Sequence, residues 1–121
     1  MVFTSDIPDW CVAEALGCDA DRYTWPPTQD ALRVMWERSP LRLAADVQAP
    51  VLLLVGDSDQ RVPREQSQQY RRALQQAHGE DACDCVEFAK EGHPLGGSRA
   101  EAECLALAAD FFERAGGRAD A

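Results

Sequence analysis

Five consecutive apolar residues, Val51-Leu52-Leu53-Leu54-Val55, stand between Ala49-Pro50 and Gly56. The run is too short for a buried helix. It predicts a strand covered on both faces, as in a parallel sheet sandwiched by helices. Cys85 to Ala89 predicts a second strand. Between the two, Pro63 opens a helix at its first position, where the missing N–H costs nothing. Tyr70, Ala73, Leu74 and Ala77 form a thin apolar stripe on that helix, and Gly79 stops it. Gln66, Gln68, Gln69, Gln75 and Gln76 are expected to make its solvated face.

Two more helices flank this unit. Thr28 is a plausible N-cap for a helix through about Glu37, with Leu32, Met35 and Trp36 at i, i+3, i+4, and Pro40 closing the segment. Ser98-Arg99-Ala100-Glu101 has the form of a capping box. It opens a last helix whose buried face is expected at Leu105, Ala108, Ala109 and Phe112, and which Gly116-Gly117 ends. Residues 1–27 carry Pro, Asp and aromatic residues in irregular order and read as a connection, with a turn of helix from Cys11 to Leu16. Residues 116–121 read as a frayed tail.

Residues 28–115 thus run helix, strand, helix, strand, helix, an α/β pattern built on one βαβ unit. Sheets typically have about 5–6 strands, and two strands do not bury both faces of a sheet. The chain therefore reads as the end of a larger, incomplete domain, with at least one sheet edge unpaired and only marginal solubility on its own.

Composition narrows the function classes. The 121 residues are 45% hydrophobic and 27% charged, ordinary values for a globular chain. Twelve basic against 21 acidic residues give a net charge of −9. That balance argues against nucleic acid and against an anionic membrane surface as partners. No stretch approaches the ~20 apolar residues of a membrane span, and the N-terminus lacks the basic and apolar regions of a signal peptide. A cytoplasmic location is expected, with Cys11, Cys18, Cys83, Cys85 and Cys104 as reduced thiols. Cys83-x-Cys85 lacks the C-x₂₋₄-C spacing of structural zinc, so no metal is expected.

Candidate chemistry lies where the two strands end. In open α/β sheets, ligands bind outside the carboxyl ends of strands. Gly56-Asp57-Ser58-Asp59-Gln60-Arg61-Val62-Pro63 follows the first strand, and Lys90-Glu91-Gly92-His93-Pro94 follows the second. Neighbouring strands are about 4.8 Å apart, so an Asp and a His on adjacent strand ends can meet. A buried carboxylate holding an imidazole is the orienting half of a nucleophilic triad. Taken alone, Asp59 could equally be a turn-forming residue and His93 a surface histidine.

The first of these segments resembles the G-x-x-D-x-R-V-P stretch of the prolyl oligopeptidase family of serine peptidases. Thr4-Ser5-Asp6-Ile7-Pro8-Asp9-Trp10-Cys11, Arg38-Ser39-Pro40-Leu41-Arg42 and Gln48 to Leu54 are similar to the acylaminoacyl-peptidase branch of that family. The resemblance runs from about Thr4 to Phe112. It implies an α/β-hydrolase fold, with Asp59 as the triad carboxylate, His93 as general base and Asp57 a neighbour outside the triad. It also implies that Arg61 holds a carbonyl of the bound peptide, although a salt bridge to Glu65 is an alternative for Arg61. The implied substrate is an N-acylated peptide, cleaved without a metal or organic cofactor.

The resemblance breaks at the nucleophile. The serines are Ser5, Ser39, Ser58, Ser67 and Ser98, and none lies in a G-x-S-x-G elbow. In the family, the nucleophile, its oxyanion donor and a β-propeller precede the region matched here. The chain is therefore expected to be a C-terminal fragment of the catalytic domain, inactive alone, with the N-terminal catalytic and propeller parts as its missing partners. An oligomer is also possible. Two other readings stand beside this one: a non-catalytic truncated or complementing fragment, and a different α/β-hydrolase such as an esterase.

Overall fold

A computed structural model describes residues 28–119. The expected irregular connection 1–27, with its turn at Cys11–Leu16, lies outside the described residues. Helix α1 spans Gln29–Glu37, and the Thr28 hydroxyl caps it by accepting from the Ala31 N–H at 3.2 Å. Of its predicted stripe only Met35 is fully buried; Leu32 and Trp36 remain 41% and 45% exposed. Ser39 then donates its hydroxyl to the Met35 carbonyl at 2.8 Å, and Pro40 opens a 3₁₀ helix, Pro40–Asp46.

Strands β1 (Val51–Gly56) and β2 (Cys83–Phe88) pair in parallel, in register from Val51 opposite Cys83 to Gly56 opposite Phe88. β2 starts two residues before the predicted Cys85, because Cys83 and Asp84 complete the ladder opposite Val51 and Leu52. Helix α2 (Arg64–His78) makes the crossover between them. Pro63 is its capping residue, with ψ of 139°, rather than its first helical residue.

The buried face of α2 is Gln66, Ser67, Tyr70 and Leu74. Gln66 is only 5% exposed, so it does not belong to the solvated face, whereas Ala77 is exposed. The reason is helical geometry: positions three and four before Tyr70 share its face whatever their polarity. Leu53, Val55, Tyr70, Leu74 and Cys83 join Ala44 of the 3₁₀ helix in the core, which lies between α2 and one face of the sheet. On the other face Leu52 and Leu54 are only half-buried. The sheet is thus better covered on the α2 side than on the other, among the described residues.

Helix α3 (Ser98–Ala119) passes through Gly116 and Gly117 and takes in residues 116–119, expected to be a frayed tail. Glycine weakens a helix by about 1 kcal/mol relative to alanine but does not obstruct it as proline does. The face α3 turns inward also differs from the expected one. Ala100 is buried, and Cys104, Leu107, Ala108, Phe111 and Ala115 are half-buried, at helical spacing. Leu105 and Phe112 are 69% and 71% exposed, and Ala109 is exposed too. Both faces are apolar enough to read as core, and only packing distinguishes them. The whole is an α/β unit: a small parallel sheet with helices flanking it.

Candidate active site

The site grows from the last rung of the ladder. Beyond Gly56 and Phe88 both chains leave the sheet at the same edge and run side by side. The Asp57 N–H donates to the Phe88 carbonyl at 3.1 Å, and the Ser58 N–H to the Glu91 carbonyl at 3.0 Å. Gly56 permits this approach: a β-carbon there would strike the Glu91 carbonyl and lie 2.6 Å from that of Gly92.

The second loop turns at once. The Glu91 N–H closes on the Phe88 carbonyl at 3.4 Å, and Lys90 takes a left-handed conformation with φ of 63°. For a residue with a side chain that conformation costs about 1–2 kcal/mol. The Lys90 N–H donates to Asp57 Oδ1 at 2.7 Å, and the Ser58 hydroxyl donates to the same oxygen at 2.8 Å. Those hydrogen bonds hold the exposed Asp57 carboxyl below its ordinary range, Ser58 contributing most.

His93 and Pro94 follow as the middle of a second turn, closed by the Leu95 N–H on the Gly92 carbonyl at 3.3 Å. The loop ends at Gly97, whose carbonyl accepts from the Glu101 N–H at 2.9 Å and so begins α3. Gly97 is therefore the capping residue, in place of the predicted Ser98. Its own N–H donates to Glu91 Oε2 at 3.3 Å, and a β-carbon at Gly97 would collide with that carboxylate.

Asp59 and His93 meet between these loops. Asp59 Oδ1 accepts the N–H groups of Arg61 and Val62 at 2.8 and 2.9 Å, which fixes its own turn. Its Oδ2 lies 2.9 Å from His93 Nδ1. The Asp59 side chain is fully buried, while that of His93 is 33% exposed. Burial raises the Asp59 carboxyl, but the Val62 N–H, the His93 hydrogen bond, the Arg61 N–H and the charge of His93 together hold it below its usual range. An ionised carboxylate only accepts, so Nδ1 carries the proton of this bond. Nε2 is then left as an acceptor in the neutral ring, with no hydrogen-bond partner among the described residues. The Arg61 residue is exposed, and its backbone N–H is one of the donors that hold Asp59.

The remaining candidates lie elsewhere. Cys83 is buried and its thiol is pushed up to about 11, first by burial and then by Cys85. Burial likewise raises Cys85 and Cys104. These three are free thiols. Among the described residues no group of three His, Cys, Asp or Glu side chains could hold a metal. His78 Nε2 lies 3.1 Å from the Ala44 carbonyl, joining α2 to the 3₁₀ helix. A groove of about 440 Å³, lined by residues 47–50 with Leu74, His78, Asp81, Ala82 and Ala115, opens at the start of β1, away from Asp59 and His93. Sequence reasoning placed Asp57 outside the triad but missed its bond to Lys90. No local signal marks a lysine as left-handed.

An Asp–His pair held over the carboxyl ends of two adjacent parallel strands, with the acid one crossover before the histidine, is the arrangement of an α/β-hydrolase domain. The chain belongs to the prolyl oligopeptidase family, whose family model matches residues 9–118. It is 35% identical over 114 residues to the acylamino-acid-releasing enzyme of Arabidopsis thaliana, an alignment covering 94% of this chain and 14% of that protein. It is 42% identical over 81 residues to acylamino-acid-releasing enzyme 2 of Oryza sativa subsp. japonica, covering 66% of this chain and 10% of that protein. The human acylamino-acid-releasing enzyme is 39% identical over 79 residues, 61% of this chain and 10% of its own length. The chain thus spans only a small part of the relatives it matches.

Proposed function

We propose that Asp59 and His93 are the acid and base of a serine peptidase that releases N-acylated amino acids from blocked peptides. The observation that carries this is the 2.9 Å bond from His93 Nδ1 to the buried Asp59 carboxylate, with Nε2 left to act on a nucleophile. The relatives, both acylamino-acid-releasing enzymes, support the substrate class.

In this reading a serine outside the 121 residues attacks the scissile carbonyl. His93 Nε2 takes the serine proton and returns it to the leaving amine, and Asp59 stabilises the imidazolium between those steps. Arg61 offers fixed guanidinium donors to a carbonyl of the peptide. The preceding catalytic segment and the propeller are the partners that complete the site. Free thiols at Cys83, Cys85 and Cys104 favour a reducing compartment, the cytoplasm. Among the described residues no helix is long and apolar enough to cross a membrane.

The test is the reading frame upstream of Met1. If it encodes G-x-S-x-G, the joined product should hydrolyse an N-acetylated amino-acid anilide. D59N should lower kcat by about 10⁴-fold and H93A by about 10⁶-fold. Undiminished activity in H93A would remove the reading.

The absence of G-x-S-x-G from these 121 residues favours a second reading, a non-catalytic fragment. Fluorophosphonate separates the two when applied to the joined product: labelling at an upstream serine supports the enzyme, and no labelling supports the fragment. The 121-residue chain alone is expected to remain unlabelled in both cases, because no acyl-enzyme forms without the nucleophile.

A further inference from the structure

We propose that Asp57 is a positioning residue for His93. The proposal rests on the reading of Asp59 and His93 as acid and base, and it concerns how their separation is set. His93 stands three residues after Lys90, and Lys90 is where the chain turns off β2. That turn places a lysine at φ of 63°, which L residues rarely adopt. Its N–H is captured by Asp57 Oδ1 at 2.7 Å, across 33 positions of sequence.

Asp57 is itself fixed. Its N–H is tied to the Phe88 carbonyl at 3.1 Å, and the Ser58 hydroxyl holds the same Oδ1 at 2.8 Å. Beside the Asp59–His93 bond, the Asp57–Lys90 bond is a side-chain link between the two loops. The other links, Asp57 to Phe88 and Ser58 to Glu91, are made by backbone alone.

The consequence is a division of labour between two carboxylates two residues apart. Asp59 holds the imidazole, and Asp57 holds the turn that delivers it. Without an acceptor at position 57, Lys90 is free to relax to negative φ. The Gly92–Leu95 turn then shifts relative to Asp59, and the Nδ1–Oδ2 bond lengthens or is made only part of the time. Asn at position 57 keeps an oxygen at the Oδ1 position and should keep the turn. Glycine at position 90 adopts positive φ freely and should make Asp57 dispensable.

The experiment uses the 121-residue chain labelled with ¹⁵N-histidine, kept at a concentration where sedimentation velocity shows monomer, and follows the His93 Nδ1 proton by NMR, with far-UV circular dichroism confirming a folded chain. In the unsubstituted chain this proton should give a low-field resonance that D59N abolishes. D57A should speed its exchange with water about five- to tenfold, as expected for loss of one hydrogen bond. D57N should stay within about twofold of the unsubstituted chain, and K90G should restore slow exchange in D57A. Unchanged exchange in a folded D57A, or D57N as fast as D57A, would overturn the proposal. If D57A alone does not fold, the K90G background decides: D57A should fold there and exchange as slowly as K90G by itself, and failure to fold or faster exchange would overturn the role of the turn. Absence of the low-field resonance in the unsubstituted chain would instead overturn the Asp59–His93 pair, and this proposal with it.

Discussion

Asp59 presents one carboxylate oxygen to its own loop and the other to His93, so a single buried side chain both makes the turn after β1 and holds the His93 ring by Nδ1. The turn-forming and the orienting readings of Asp59 are therefore the same arrangement seen from two sides. A change at Asp59 is felt by the fold and by the site together.

Acid should reveal this coupling. The folded Asp59 carboxyl lies below its ordinary value, so the unfolded chain binds the proton more readily. Stability from this group is fully present above the ordinary carboxylate range, near pH ~4. It is lost as pH falls through the lower folded value. Urea unfolding across that range should show a shallower acid loss in D59N than in the unsubstituted chain. Parallel curves would contradict the assignment.

Gly56 should tolerate no side chain. In G56A the new methyl would meet the backbone carbonyls of Glu91 and Gly92, neither of which can swing aside as a side chain could. Overpacking of this kind costs about 1–3 kcal/mol. A lowered melting temperature is expected, together with a weakened His93 Nδ1 resonance, since the two loops are forced apart.

Leu74 and Leu105 look alike in sequence and should behave differently. Leu74 is 1% exposed and Leu105 is 69% exposed. L74A should cost about 2–5 kcal/mol. L105A should change the stability of the isolated chain by no more than about 0.5 kcal/mol. Denaturant melts of the two variants give the comparison directly.

The isolated chain should self-associate. β1 and β2 form a two-stranded sheet, so each has an edge without a strand partner among the described residues, and Leu105 and Phe112 add exposed apolar surface on α3. Unpaired edges of this kind template further pairing. Sedimentation velocity should show mass rising with concentration. A monodisperse monomer with a cooperative melt would mean that the unit is self-sufficient.

The order of elements, and the strand ends at which chemistry gathers, are written locally in the chain. Val51 to Val55 between Pro50 and Gly56 admits little besides a strand, and Thr28 and Gly79 mark helix ends by local hydrogen bonding. These are short-range effects, written within a few residues of where they act. The rest depends on packing between elements distant in sequence. Whether α3 turns Leu105 or Leu107 inward depends on what lies across from it, because both faces are apolar. Gln66 is buried on the helix face it shares with Tyr70 and Leu74, a placement its polarity does not announce. The left-handed turn at Lys90 exists beside a carboxylate 33 positions earlier, and no local pattern encodes a bond that closes only when two strands pair.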